Sequence, residues 1–589
     1  MDKDTWLSVD FETSDINRYS CEVDRVCVLA FNIKTGKVYW KMDFGRNGSA
    51  CDDHKLKGLM ASSTPKVAHN AEYELYIMED RLGFPIKGTL YDTMLMTKHW
   101  RNDLPAHDLK SLSWWLFGDL YSPLIKLREW IHKNNMKGED DIEFDMTKCP
   151  DKLVHNYCMH DVKMTAKIAT MMWPEVKDNY AHHLDTKVIR INSRIEANGI
   201  TADVPFYKDF IRLGERRIKR NTGQAKEALG IDKKDKRKPT GNALRDHLKS
   251  IGESRTTETG LIKADDKVLR DHKDDEASRA VGRIRTDQKQ VNTYARNILL
   301  VANELGSFHP NLRQSSAITR RWRSSNLYGD NGVTVKGNVQ SFPRGVGIRS
   351  GIITPEGYGF VKFDLASIEA RVGAHAMAIF LGFDYYVKKY RANDKFNIYQ
   401  HVIEHHTSHG KVTKKDPLYT AYKHGCLGIQ YGVGVKTFHK TMVDSFDLPY
   451  SLEECAHIYN TIREECPEFT QLQRAVSSII EKEGKIYDDY GAVYYVPDSE
   501  SYKGVNCYCQ GCATCIFKDW MIRVAPMMAD TKDYMFCLLH DEQDGAIWKD
   551  KTANDRIQAY CDVMRQIDHF ELPLTAEASG LVDNWAEAG

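Results

Sequence analysis

Three short runs near the start of the chain, TWLSVDF, VCVLAFNI and KVYWKMDF, are rich in β-branched and aromatic residues and predict strands. KVAHNAEYELYIMED and HDLKSLSWWLFG carry helical spacing instead, so this opening stretch predicts a mixed sheet flanked by helices. From about Asp185 the apolar period lengthens to about 3.6 in long charged segments such as TKVIRINSRIEANG and VPFYKDFIRLGERRIKR. A second unit is predicted to begin there. Farther along, GYGFVKFDLASIEARVGAHAM reads as a strand ending at Asp364 that turns into a helix from about Ser367. MFCLLHDEQDGAIW reads as two apolar strands joined by a tight acidic turn, with Asp541 and Glu542 at its tip. Between them, YTAYKHGCLGIQYGVG predicts a helix that sets Lys423, Leu427 and Tyr431 on one slowly rotating face and ends at Gly432.

A length of 589 residues implies about four folding units. The 82 Lys+Arg and 82 Asp+Glu cancel, which excludes a whole-chain polycation and requires any nucleic-acid surface to be local. No apolar run approaches the ~18 residues of a spanning helix, and the start has no apolar segment behind a basic one, so a soluble, cytoplasmic protein with reduced cysteines is expected. Cys507, Cys509, Cys512 and Cys515 invite a metal reading, but their spacing has no second half and the segment continues as a helix, so buried thiols are the better reading. His401, His405, His406 and His409 read as solvated histidines. Charge is locally uneven: residues 215–238 hold ten basic against four acidic side chains. Residues 311–349 hold seven basic side chains, Arg320, Arg321 and Arg349 among them, against Asp330 alone, interleaved with small polar residues suited to phosphate and sugar contacts.

In LSVDFET the strand pattern puts Asp10 and Glu12 on one face with Phe11 opposite. VAHNAEYEL adds Asn70 and Glu74 one helical turn apart, and NYCMHD adds Tyr157 and Asp161 on one helix face. These residue types suit two-metal hydrolysis. Carboxylates hold two ions about 4 Å apart, one activating water and the other stabilising the leaving 3' oxygen, while a tyrosine hydroxyl orients the water. The set resembles the proofreading 3'-5' exonucleases of the DEDDy type. Glu74 stands where that family usually has Asp, which alters the metal geometry, and Asp92 in YDTMLM matches a supporting position.

With TRRWRSS and GNVQSFPR upstream and NCYCQG ahead of the acidic hairpin, the segments DLASIEAR, K-x3-L-G-x2-YG and HDE resemble motifs A, B and C of DNA polymerase family A, the bacterial DNA polymerase I class. The resemblance covers nearly the whole chain. It implies that Asp364, the Leu365 carbonyl and Asp541, with Glu542 beside them, serve two Mg²⁺ ions, and that Asp10, Glu12, Glu74 and Asp161 serve two more, with Mn²⁺ able to substitute. Glu369 then matches the residue that blocks a ribose 2'-OH. Lys423 would contact the triphosphate and protonate departing pyrophosphate, Tyr431 would pack at the templating base and Tyr399 beside the nucleotide phosphates. His540 would lie near the primer terminus, and Arg321, Asn338, Gln340, Asn506 and Gln510 would contact the duplex. Two positions depart from the family: Leu427 replaces a Phe or Tyr, and Tyr419 replaces an arginine that faces the triphosphate, leaving Lys414 and Lys415 as nearby substitutes.

The implied fold is an α/β and α+β multidomain protein, a ribonuclease H-like exonuclease domain followed by a right-hand polymerase. The expected boundaries are 1–182 for the exonuclease, 183–310 for the thumb with the basic run as its DNA-facing tip, 311–395 and 486–589 for the palm, and 396–485 for the fingers. The implied partners are primer-template DNA, deoxynucleoside triphosphates and replication accessory proteins, with no membrane. No 5'-nuclease is expected ahead of the first strand, a compact form that resembles the replicative polymerases of bacteriophages. Two rival readings are a single-subunit RNA polymerase-like enzyme, opposed by Glu369 and the exonuclease half, and an inactive DNA-binding replication factor, opposed by the full set of carboxylates.

Overall fold

The computed structural model describes residues 3–45, 54–134, 145–232, 234–302, 304, 306–407, 410–446, 448–539, 541–567, 570 and 572–589. Thr5–Thr13 (β1), Val23–Asn32 (β2), Val38–Phe44 (β3), Lys66–Ala68 (β4) and Leu90–Asp92 (β5) form a sheet in the order β3-β2-β1-β4-β5. β1 runs antiparallel to β2 and parallel to β4. Leu7, Val9 and Phe11 enter the core on one face of β1 and Trp6 enters the core on the other. Strand alternation therefore puts Ser8, Asp10 and Glu12 on the Trp6 face. The short helix Ala71–Tyr76 (α1) packs with the Leu7 face, and the 26-residue helix Asp151–Val176 (α2) covers the Trp6 face, where Ser8 Oγ donates to the Val162 carbonyl at 2.9 Å.

Tyr180–Asn198 (α3) serves two cores at once. Its Ile189 packs with the β3-β2-β1-β4-β5 sheet while Leu184, Val188 and Ile195 belong to the large core of the C-terminal half. The boundary expected at 182/183 falls inside this helix, because an apolar surface on both sides leaves no place for an exposed linker. Val204–Ala228 (α4) and Glu276–Gln288 (α5) pack on each other, with a small core of their own that includes Ala225, Leu244, Val268, Val281 and Ile284.

Ile200–Ala202 (β6), Ser307–Arg313 (β7), Arg323–Tyr328 (β8), Thr334–Lys336 (β9) and Ile352–Ile353 (β10) make an antiparallel sheet in the order β10-β6-β7-β8-β9. Tyr358–Leu365 (β11) belongs to another sheet and leads through Ser367 into Ile368–Leu381 (α6). Pro417–Gln430 (α7) follows, then the hairpin Lys485–Tyr487 (β12) and Val493–Tyr495 (β13), then the long helix Gly504–Ala529 (α8). Tyr534–Leu539 (β14), Glu542–Trp548 (β15) and Ala576–Ala578 (β16) complete the β11 sheet in the order β14-β15-β11-β16.

Several local expectations change in the folded chain. Arg320 and Arg349 are buried rather than free for phosphate. Arg320 reaches backbone carbonyls of Lys98 and Val493, and Arg349 stacks on the Trp585 ring at 4.1 Å. A guanidinium satisfies carbonyls and aromatic faces as readily as phosphate, so composition alone misassigns it. His401 is held by the Tyr385 hydroxyl and packs near Phe396, whereas His405 is exposed; the His406 side chain and His409 lie outside the described residues. The four clustered cysteines are buried thiols on α8, and every cysteine among the described residues is free. Among the described residues no helix is long and apolar enough to cross a membrane.

The N- and C-terminal halves are joined by a buried polar knot. Asp185 on α3 accepts hydrogen bonds from Lys518 Nζ on α8, from His99 Nε2 at 2.9 Å and from Ser315 Oγ at 2.6 Å. Burial alone would raise the Asp185 carboxyl, but the Lys518 ammonium, His99 and Arg320 hold it well below the usual carboxylate range. Burial, with Arg320 nearby, pushes His99 down, so its ring is neutral. A depressed carboxyl adds stability that is present above the ordinary carboxylate range and lost only as pH falls through the depressed value. Removing one partner leaves an uncompensated buried charge, so Lys518→Met should cost about 3–5 kcal/mol. Calorimetry should show a lowered unfolding midpoint for Lys518→Met, with part of it recovered in the Asp185→Asn/Lys518→Met double variant. An unchanged midpoint in the single variant would remove the knot from this role.

Candidate active sites

The first site lies on the Trp6 face of β1. Glu12 and Asp161 are buried, as is Glu74 on α1, and Asp10 interacts electrostatically with all three. All four carboxyls are pushed up, chiefly by burial. Asp161 raises Asp10 further, and Asp10 raises Glu12 and Glu74. Asp10 Oδ2 and Glu74 Oε2 are buried without a hydrogen-bond partner among the described residues. Asp10, Glu12 and Cys158 bring ligand atoms within 4.8 Å of one another, and the oxygen donors, with the orphaned oxygens of Asp10 and Glu74, fit a divalent cation.

The supports of this site are distant in sequence. Asp92 accepts the backbone N–H groups of Asn70 at 3.0 Å and Ala71 at 3.1 Å while capping Met94 at 2.7 Å, and so anchors the start of the helix that carries Glu74. Asn70 itself stands just outside that helix with φ 68°, a left-handed conformation that Asn tolerates. Tyr157 is buried one turn before Asp161 on α2. Three residues that the sequence reading missed join it. The Tyr121 hydroxyl donates to Asp161 Oδ1 at 2.7 Å, and Lys110 Nζ lies 3.8 Å from Asp161 Oδ2 and 5.3 Å from the centre of the Tyr157 ring. Cys158 Sγ contacts the Asp10 carbonyl at 3.6 Å. A cavity of about 560 Å³ opens on Asp10 and Asp161, and Lys98, Lys110, Arg313 and Gln314 also line it.

The second site is built across three strands. Asp364 on β11 is paired in register with Glu542 on β15 and with Glu577 on β16, so three carboxylates stand in a row, with Asp541 in the turn before β15. Burial first, then Asp541, pushes the Asp364 carboxyl up to about 6. Glu542 is engaged by Trp585 Nε1 at 3.3 Å and lies 3.9 Å from Lys362 Nζ. Glu577 and the fully buried Asp544, both oxygens of which lack a partner among the described residues, were not foreseen. These carboxylates also fit hard divalent cations.

A cavity of about 420 Å³ lies on Asp364, with Leu365, Glu369, Tyr399, Lys423 and Asp541 on its walls. Lys414 also reaches this wall and Lys415 does not. Ser367, at φ 54°, makes the tight turn between Asp364 and Glu369. Glu369 Oε1 is held by Arg321 at 3.1 Å and by Gln510 Nε2 at 3.3 Å. It also raises the Tyr399 and Tyr431 hydroxyls, after burial itself. Leu427 and Tyr431 are not on the cavity wall; Leu427 is buried in the core and Tyr431 caps α7. Tyr419 is buried, and its hydroxyl accepts from Asn397 Nδ2 at 2.8 Å.

Among the residues expected on the duplex, Arg321 and Gln510 meet at Glu369, and Asn506 lies one turn before Gln510 on α8 with its Oδ1 unpartnered among the described residues. Asn338 accepts from the Gln340 backbone at 2.9 Å, and Gln340 Nε2 donates to the Trp322 carbonyl at 3.3 Å. His540 lies outside the described residues. Gly511 follows Gln510 because a Cβ there would sit 2.0 Å from the Tyr494 hydroxyl, so glycine lets α8 approach the β12–β13 hairpin.

Comparison with known proteins accords with this arrangement. The solved POL domain of Pol1 from M. smegmatis, in complex with DNA primer-template and dNTP, superposes with a TM-score of 0.73 over 99% of this chain and 96% of that one. At 16% identity that likeness speaks for the fold. No curated protein matches the chain significantly. A family profile described as 3'-5' exonuclease matches residues 2–177, and one described as DNA polymerase family A matches residues 210–587, well over half of the sequence. The chain therefore belongs to DNA polymerase family A and is a DNA-directed DNA polymerase with an N-terminal 3'-5' exonuclease domain.

Proposed function

We propose that the chain extends a primer 3' end with deoxynucleotides on a DNA template and removes mispaired 3' ends at a DEDDy-type site, as a replicative enzyme of the bacteriophage kind acting in the host cytoplasm. The observation that carries this reading is the meeting of Asp364 and Asp541 with Lys423 in one cavity whose wall includes Glu369. In this reading Mg²⁺, or Mn²⁺ in its place, is held two ions to a site, by Asp364, the Leu365 carbonyl and Asp541 at one and by Asp10, Glu12, Glu74 and Asp161 at the other. Bound there, such ions neutralise phosphate charge and lower the pKa of the attacking oxygen.

The chain's own residues position the reactants, which is most of what phosphoryl transfer requires. Lys423 neutralises the triphosphate and gives a proton to the departing pyrophosphate. Glu369, fixed by Arg321 and Gln510, fills the space a ribose 2'-OH would need. This favours the deoxynucleotide reading over an RNA polymerase. Tyr399 stands beside the incoming nucleotide on the cavity wall, and Arg321, Asn338, Gln340, Asn506 and Gln510 face the duplex near the primer end. The helices α4 and α5 act as the thumb, residues 311–395 and 486–589 as the palm and residues 396–485 as the fingers. At the exonuclease site Tyr157 orients the attacking water, while Tyr121 and Lys110 keep Asp161 in place.

Asp364→Asn should lower the primer-extension rate by at least about 10²–10³-fold, the scale of removing one electrostatic stabiliser, while gel-shift binding of primer-template persists; an unchanged rate would move the metal seat elsewhere. Asp10→Asn should stop excision of a mismatched 3' nucleotide and leave extension of a matched primer intact, and continued excision would point to another nuclease centre. Glu369→Ala should narrow the preference for dNTP over rNTP in single-nucleotide incorporation by about 10–100-fold. A wild-type enzyme that prefers rNTP would overturn the deoxynucleotide assignment.

A further inference from the structure

The Trp6 face of the first sheet carries a second cluster of ligating side chains, one strand away from the nuclease carboxylates. Asp10 on β1 is paired in register with Cys27 on β2, and Cys27 with Asp43 on β3, so the three side chains form a row across the strands on one face. α2 lies over that row and brings His155 and Cys158, three residues apart, to it. At the β3 end, Cys27 Sγ, a carboxylate oxygen of Asp43 and His155 Nδ1 all lie within 4.8 Å of one another. His155 Nδ1 is 2.5 Å from Asp43 Oδ2, and the fully buried Cys27 has its sulfur 4.0 Å from Asp43 Oδ1. The Cys158 thiol lies against that of Cys27.

The two ends of the row differ in donor chemistry. Carboxylate oxygens dominate at Asp10 and suit a hard cation, whereas thiolate, imidazole and carboxylate together are the mixture that zinc takes. Zinc binds sulfur at about 2.3 Å and nitrogen or oxygen at about 2.0–2.2 Å, so a sulfur and an oxygen 4.0 Å apart can share one ion. Arg25 pairs with both Asp43 and Asp151 and reaches Asp43 through Oδ2, which leaves Oδ1 on the Cys27 side. An outer hydrogen bond of that kind orients a ligating carboxylate. The charges also balance. With Cys27 as thiolate, Cys27 and Asp43 match the two charges of the ion, while Arg25 and Asp151 match each other.

We propose that Cys27, Asp43 and His155 form a zinc site separate from both catalytic centres, which clamps the β3 edge of the sheet to α2. The ion takes the place of the Cys27 thiol proton and of the proton shared between His155 and Asp43. Tyr157 lies between His155 and Cys158 on the clamped stretch of α2, and Asp161 follows one turn later. The clamp therefore holds in place the helix that brings both residues to the nuclease site.

The test is titration of the full chain with Co²⁺, a coloured substitute for zinc, in excess Mg²⁺ to occupy the oxygen-donor sites. Co²⁺ should give a thiolate-to-metal charge-transfer band, which carboxylates cannot produce, and an equivalent of Zn²⁺ should abolish it. Cys27→Ser should lose the band. His155→Gln should raise the Co²⁺ dissociation constant by at least about tenfold. Because the His155 side chain is 35% exposed, that variant keeps the core intact and gives a result even where Cys27→Ser folds poorly. Asp10→Asn should keep both the band and the affinity. Absence of the band in the wild-type chain overturns the proposal, as does a band that persists in Cys27→Ser or an unchanged constant in His155→Gln. Loss of the band in Asp10→Asn would place the ion in the nuclease site and overturn it as well.

Discussion

The buried pair of Asp185 and Lys518 sets where the two catalytic halves stand. Both side chains are almost wholly removed from water, and a charge so placed is tolerable only with its partner and hydrogen bonds in position. Because Asp185 sits on α3 and Lys518 on α8, the requirement fixes the helix shared by both cores against the helix that carries Asn506 and Gln510. Neighbouring polar contacts tighten the same seam. Asn192 Nδ2 reaches Glu72 at 2.8 Å and the Leu312 carbonyl at 2.7 Å, Gln314 reaches Glu72 at 2.9 Å, and Arg18 pairs with Glu196. Arg313 and Gln314, which belong to the polymerase half, consequently line the exonuclease cavity.

Both sites are built on a local conflict that the rest of the fold sustains. Crowding carboxylates where water is scarce raises Asp10, Glu12, Glu74 and Asp161 at the first site and Asp364 at the second, and this disfavours the folded state, so the surrounding cores must offset that cost. At the first site the strain is relieved by a tyrosine hydroxyl and a lysine on Asp161. At the second, Lys362 and the Trp585 indole draw Glu542 aside and leave Asp364, Asp541 and Glu577 on the cavity. The zero net charge conceals this opposition. Acidic centres and lysine-rich or arginine-rich walls lie within one molecule, each in the place its chemistry needs.

The strands and helices that bear the key carboxylates were legible before folding was considered. Asp10 and Glu12 share a face because strand side chains alternate, and Tyr157 and Asp161 share one because helix positions four apart coincide. The turn from Asp364 into α6 and the acidic hairpin before β15 also carried their own local signals. Arg320 and Arg349 were misread because nothing local distinguishes an arginine bound for phosphate from one that will cap carbonyls or lie on an indole.

Spacing within single segments thus decided which side chains could act together on one strand or helix face, since that geometry is set by backbone period alone. Which segments meet was decided by strand register and helix packing. Glu577 reaches Asp364 because β16 pairs with β11, and Tyr121 and Lys110 reach Asp161 only through the packing of the exonuclease core. Lys414 was within view in the sequence, yet its place on the wall of the Asp364 cavity exists only once the chain before α7 has folded. Contacts between residues far apart along the chain leave no local period, and so they belong to the tertiary structure.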